Sequence, residues 1–131
     1  MRALDTNVLV RALVQDDAAQ GRRAQACLSA QPVYIPVTVV LELEWLLRSR
    51  YGYSPKAIAD ALEKLAVLEN AVVGEQAAVV AAARKMRQGW DFADALHHAL
   101  ADGCDDFATF DTALSRRAGR DDSTAPRVIA I

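Results

Sequence analysis

The sequence predicts an α/β domain of three layers, α/β/α, around a parallel sheet of four or five short strands. Three observations predict it. Short apolar runs alternate along the whole chain with longer segments of helical spacing, the pattern of strands joined by crossover helices. Two of those runs end alike, as Leu4-Asp5-Thr6 and Phe110-Asp111-Thr112, which sets two carboxylates at strand ends. The chain has 131 residues, 53% of them hydrophobic, enough for the core of one domain spanning 1–131.

Each element follows from local chemistry. Residues 2–4 read as a buried strand that stops at Asp5. Thr6 to Val14 has helical spacing through Val8, Leu9 and Leu13, with Asp5 or Thr6 offering an oxygen to the free N–H groups at its start. Asp16 or Asp17 caps a second helix, Ala18 to Ser29, that turns Gln20, Arg22, Arg23 and Gln25 outward. Val33 to Val37 is a strand, with Pro36 tolerable near its end. Thr38 opens a helix over Val39 to Arg50, closed by Gly52. Ser54-Pro55 is a cap followed by a proline in the first turn, and Ile58, Leu62, Leu65 and Ala66 form the apolar stripe of that helix. Ala71-Val72-Val73 is a strand turned by Gly74. Glu75 to Arg87 is an alanine-rich helix broken at Gln88-Gly89-Trp90, and Asp91 to Ala101 is the next. Phe107 to Phe110 is a strand, Thr112 to Ala118 one or two helical turns, 120–126 a polar loop, and Arg127 to Ile131 a last strand.

The formal net charge of −2 does not mark a nucleic-acid binder, although basic patches or a bound cation can serve a mildly acidic protein. Cys27 and Cys104 lack metal-type spacing and read as reduced, buried thiols. No apolar run approaches the ~20 residues of a membrane span, and Asp5 interrupts any signal-peptide pattern, so the expectation is a cytoplasmic protein.

The chemistry-bearing residues are acidic. In a parallel sheet Asp5 and Asp111 lie on one edge, where α/β proteins bind ligands, and neighbouring strands would bring the carboxylates close. Two like charges held together call for a proton or a cation. The helix over 39–50 carries Glu42 and Glu44, about 200° apart around its axis. Glu44 has Arg48 four residues on and reads as a solvated surface pair. Glu42 has Thr38, Val39, Trp45 and Leu46 around it and no basic partner, so it reads as a site residue or a group at the core's rim. On the helix over 91–101, Phe92, Leu96, Ala99 and Gly103 mark the buried stripe, and Asp91, Asp94 and His98 the opposite, polar one. A solvated face or a helix-dipole preference explains those acids as well, and Asp94 stands out through the three other carboxylates. His97 and His98 diverge and read as structural or surface groups, with His98 within reach of a substrate phosphate. Carboxylates without a Cys/His set suit a hard divalent cation, Mg²⁺ or Mn²⁺, which favours phosphodiester hydrolysis. No phosphate-binding glycine loop with its lysine is present.

Taken together, Leu4-Asp5-Thr6-Asn7, Glu42-Leu43-Glu44-Trp45-Leu46-Leu47, Asp91-Phe92-Ala93-Asp94-Ala95-Leu96 and Ala108-Thr109-Phe110-Asp111 resemble, in order and interval, the motifs of PIN-domain ribonucleases, in particular the VapC-like toxins of bacterial toxin–antitoxin pairs. The resemblance covers essentially the whole chain. It implies that Asp5, Glu42, Asp94 and Asp111 are catalytic and metal-binding positions, with Thr6, Asn7 and Thr109 as polar supports and Asp91 as a further acidic position. It implies a Mg²⁺- or Mn²⁺-dependent endoribonuclease leaving 5′-phosphate and 3′-hydroxyl ends, a homodimer, and a cognate antitoxin through which any DNA contact would be made. Thr112 and Ala113 stand where some relatives carry a further acid, which bears on whether one or two ions are held. Of the basic clusters, Arg116-Arg117 is nearest Asp111 and is expected to hold the RNA backbone. Two other classes compete. One is a non-catalytic interaction module acting through a partner. The other is an aspartate-nucleophile phosphatase, against which Asn7 stands where that chemistry needs a second Asp.

Overall fold

The computed structural model describes residues 1–119 and 126–131, so the expected polar loop at 120–126 lies outside the described residues except for Pro126, which is buried. In chain order the elements are β1 (Arg2–Ala3), α1 (Thr6–Val14), α2 (Ala18–Ala30), β2 (Val33–Ile35), α3 (Val37–Ser49), α4 (Pro55–Ala66), β3 (Ala71–Val73), α5 (Gln76–Arg87), α6 (Phe92–Leu100), β4 (Asp106–Thr109), α7 (Thr112–Gly119) and β5 (Arg127–Ala130). The strands are short and parallel, and helices cover them in the three-layer arrangement expected.

The strands do not form one continuous ladder. Among the described residues, β1-β2-β3 make one sheet and β4-β5 another. Arg2 pairs with Val33, Val33 with Ala71, and Phe107 with Val128. β1 has only two residues, too short for more than a brief ladder, and β2 takes it. Asp5 and Asp111 therefore follow strands that are not hydrogen-bonded neighbours.

The helix starts obey local rules. Asp5, not Thr6, caps α1: its Oδ1 accepts the Thr6 N–H at 2.8 Å, and Thr6 is already the first helical residue. Asp17 caps α2 through the Gln20 N–H at 3.0 Å, while Asp16 pairs with Arg11. Ser54 caps α4 through the Ala57 N–H, with Pro55 in the first turn. Gly74 ends β3 where a Cβ would sit 2.7 Å from the Tyr34 hydroxyl and 3.2 Å from the Val37 nitrogen, so the turn admits no side chain.

The core runs through Val33 and Ile35 of β2, Val40, Leu43 and Leu47 of α3, Ile58 and Leu62 of α4, Val79, Ala82 and Ala83 of α5, and Phe92 and Leu96 of α6. Arg87 of α5 pairs with Asp60 and Glu63 of α4 and ties those helices at the surface. Both thiols are free, and neither is fully buried: Cys27 is half-buried and Cys104 exposed, because the second follows the end of α6 in a turn with no packed cover. Among the described residues no helix is long and apolar enough to cross a membrane.

Candidate active site

Three aspartates converge on one small cavity. It measures about 220 Å³ and is lined by Gly89, Trp90, Asp91, Asp94, Asp111, Ala113, Leu114 and Arg117. Asp91 caps α6, its Oδ2 accepting the Asp94 N–H at 3.1 Å. Asp111 begins α7 in the same manner, its Oδ1 accepting the Leu114 N–H at 3.0 Å. Thr109 fixes the backbone there, since its Oγ1 accepts the Asp111 N–H at 3.0 Å. Each capping carboxylate thus spends one oxygen on its helix and turns the positive end of that helix toward the cavity.

Asp94 differs. It lies in the first turn of α6, half-buried, and its side chain caps nothing. Burial pushes its carboxyl above the ordinary carboxylate value, and the charges of Asp91 and Asp111 push the same way, with His97 opposing them weakly. Among the described residues no Lys or Arg forms an ion pair with Asp5, Glu42, Asp91, Asp94 or Asp111.

The remaining predicted residues lie around this cavity but not in it. Asp5 is exposed at the start of α1. Thr6 beside it is 2% exposed, and its Oγ1 is buried without a hydrogen-bond partner. Asn7 borders a separate hollow of about 350 Å³ with Arg23 and Cys27, facing α2. Glu42 is exposed and borders a hollow of about 300 Å³ with Thr38, Leu41, Glu44, Trp45, Arg48 and Ala93. Ala93 immediately precedes Asp94, so the hollow that Glu42 borders reaches the first turn of α6.

Two side chains reverse their expected exposure. Glu44 is 2% exposed rather than solvated, and it pairs with Arg48 at 3.0 Å. Its position on α3 coincides with the face that carries Val40, Leu43 and Leu47 into the core, and the half-exposed guanidinium makes the burial tolerable. His98 is 1% exposed and sits on the buried stripe of α6 with Ala95, not on the polar one, while Gly103 is exposed. Its Nε2 stands 2.6 Å from the Pro126 carbonyl, and its ring stacks on Trp90 and meets Phe107 edge-on. An imidazole so enclosed packs α6 against Trp90, β4 and the residue before β5, and it has no place among the walls of the carboxylate-lined cavity.

The donors suit a hard divalent cation by chemistry: oxygen ligands only, like charges that no described Lys or Arg ion-pairs, and an unsatisfied buried hydroxyl at Thr6 next to Asp5. They are not drawn into a finished shell, since no three His, Cys, Asp or Glu side chains among the described residues are grouped tightly enough to hold an ion. Size does not single out this cavity. A hollow of about 550 Å³ lies along α5 and the end of α6, with His98 in its wall and none of Asp5, Glu42, Asp91, Asp94 or Asp111. The sequence reading did not foresee Gly89 and Trp90 as cavity walls; the break at Gln88-Gly89-Trp90, immediately before the Asp91 cap, was the available signal.

No curated protein and no solved structure matches this chain. A family model does: the PIN domain model matches residues 2–120, from β1 past the end of α7, and so takes in every acidic position described above. PIN domains are in general nuclease domains, typically dependent on divalent metal ions. With most of its length matched, the chain belongs to the PIN-domain family.

Proposed function

We propose that the protein is a Mg²⁺- or Mn²⁺-dependent endoribonuclease and the toxin of a VapBC-type toxin–antitoxin pair. The observation that carries the nuclease reading is Asp94: a half-buried carboxylate, raised above its ordinary value by burial and by Asp91 and Asp111, with no Lys or Arg among the described residues in ion-pair distance. Such a group gains most from a bound cation. In this reading Asp94 and Asp111 hold the ion, Asp5 and Glu42 complete its surroundings from α1 and α3, and Asp91 keeps the first turn of α6 in position. The ion, when bound, supplies charge to polarise the phosphodiester and to lower the pKa of a bound water. The chain's own part is orientation. Caps at Asp91 and Asp111 fix where the free oxygens point, Thr109 fixes the backbone at Asp111, and Trp90 and Leu114 wall the cavity against bulk water.

The antitoxin and the homodimer rest on the resemblance of the motifs. The test is cleavage of RNA by purified protein in Mg²⁺ or Mn²⁺, with and without EDTA, followed by mapping of the ends. Cleavage is expected to need the metal and to fall by roughly a hundredfold or more in Asp94→Asn and Asp5→Asn, variants that still fold. Full activity in EDTA or in either variant overturns the mechanism. Cation binding by calorimetry separates it from a non-catalytic module: a folded protein that takes up neither Mg²⁺ nor Mn²⁺ favours the module.

A further inference from the structure

The structure divides the Arg116-Arg117 pair. Both side chains are exposed, but only Arg117 lines the acidic cavity. Its guanidinium lies over the turn between α5 and α6, where Nη1 makes a long hydrogen bond of 3.5 Å to the Gln88 carbonyl. It occupies the space that a side chain at residue 89 would take: a Cβ on Gly89 would come within 2.7 Å of Nη1. Gly89 also has φ +99°, a conformation that side chains resist, and that backbone constraint keeps this seat bare.

The electrostatics of the seat are unusual. Arg117 shares a 220 Å³ cavity with Asp91, Asp94 and Asp111, yet among the described residues it is within ion-pair distance of none of them. A flexible arginine close to three carboxylates would ordinarily close onto one. Here it lies instead over the Gln88 carbonyl and the bare Gly89. The cavity is left with an acidic wall that suits a cation and one guanidinium that suits an anion. A phosphodiester would satisfy the guanidinium directly and the acidic wall only through a cation held by that wall, and the planar fork of arginine matches two phosphate oxygens.

We propose that Arg117, seated on the Gln88-Gly89 turn, is the phosphate-binding residue of this site and takes a backbone phosphate of single-stranded RNA. Arg116, one residue earlier on α7, faces solvent and has no part in it. The inference rests on the nuclease reading for its substrate, and the two are tested separately.

The probe is a fluorescein-labelled, mixed-sequence single-stranded RNA. Its binding is followed by anisotropy in Ca²⁺, to hold off cleavage, across a sodium chloride series. Arg117→Ala is expected to weaken binding about tenfold or more and to reduce the slope of log affinity against log salt by about 0.7, the loss of one phosphate contact on a single strand. Arg117→Lys is expected to restore the slope but only part of the affinity, since it keeps the charge and loses the fork. Arg116→Ala is expected to bind like the wild type. Equal losses in Arg116→Ala and Arg117→Ala, wild-type binding by Arg117→Ala, or no measurable binding by the wild type overturn the inference. Arg117-dependent binding by a protein that does not cleave RNA in Mn²⁺ supports it and removes the nuclease reading instead. Cleaving wild type with an unaffected Arg117→Ala variant does the reverse.

Discussion

Glu44 of α3 is buried to 2% exposure and accepts a hydrogen bond at 3.0 Å from the Nε of Arg48, one turn further along the helix, whose own side chain is 47% exposed. That hydrogen bond and the carboxylate's charge raise the Arg48 guanidinium above its ordinary value, with a small further push from Asp91. The pair therefore anchors a charge in the core from the surface. Replacing Arg48 by Ala leaves the carboxylate buried and unpaired and is expected to cost about 1–3 kcal/mol in urea denaturation. Glu44→Gln removes the charge and keeps hydrogen-bonding capacity, so it is expected to cost less. A larger loss in Glu44→Gln than in Arg48→Ala contradicts this account.

Asp94 gives a prediction of opposite sign. Its carboxyl is raised by burial and by Asp91 and Asp111, so the folded state holds that proton more tightly than the unfolded chain. Stability without metal is then expected to fall as pH rises from the ordinary carboxylate value of 3.8 through the raised one. Asp94→Asn removes the penalty and is expected to raise the melting temperature of the metal-free protein at neutral pH. The same variant loses the stabilisation that Mn²⁺ confers on the wild type. Scanning calorimetry with EDTA or Mn²⁺ reads both effects. An Asp94→Asn variant that melts lower than wild type in EDTA and still gains from Mn²⁺ refutes the role given to Asp94.

The link between α4 and α5 responds to acid in the other direction. Hydrogen bonds from Arg87 hold Asp60 and Glu63 below the ordinary carboxylate values. Their contribution is present above the unfolded pKa values of 3.8 and 4.5 and is lost as pH falls through the lowered ones. Arg87→Gln is expected to flatten this acid-side loss by lowering stability slightly at about pH 6 and not at about pH 3, a small effect because the cluster is solvent-exposed. Urea midpoints between pH 3 and 7 test it; an unaltered profile means that the cluster contributes nothing.

His98 is a packing residue. Its ring centroid lies 5.9 Å from that of Trp90 and 5.7 Å from that of Phe107, and its Nε2 stands 2.6 Å from the Pro126 carbonyl. Cutting it back to Ala empties that space and frees the start of β5, at an expected cost of about 2–4 kcal/mol. RNA binding per folded molecule is expected to stay at the wild-type level. Loss of RNA binding without loss of stability would restore His98 to the site.

Much of this protein was legible because much of it is local. Ser54-Pro55, Asp17 and the Asp5 and Asp91 caps act within one helical turn, so short stretches of sequence already contain both partners. The same holds for the parallel α/β architecture with its alternating elements, although β1 and β4 end at Ala3 and Thr109, two residues short of Asp5 and Asp111, and β1 is exposed rather than buried. The four motifs, read in order, also led to the family that the comparison supports.

Burial and convergence were decided elsewhere. Glu42 and Glu44 look alike in sequence, and only the packing of α3 against its neighbouring helices exposes one and buries the other. His98 shared a polar stripe with Asp94 on a helical wheel, until β5 and Trp90 closed over it. The sequence by itself determined which carboxylates stand at the starts of helices, because a cap and its N–H groups lie within a few residues. The tertiary structure alone decided that Asp91, Asp94 and Asp111 face one cavity, that β1 and β4 are not paired, and that Arg117 rests over Gly89. Those relations join residues far apart in the chain, and packing sets them rather than local propensity.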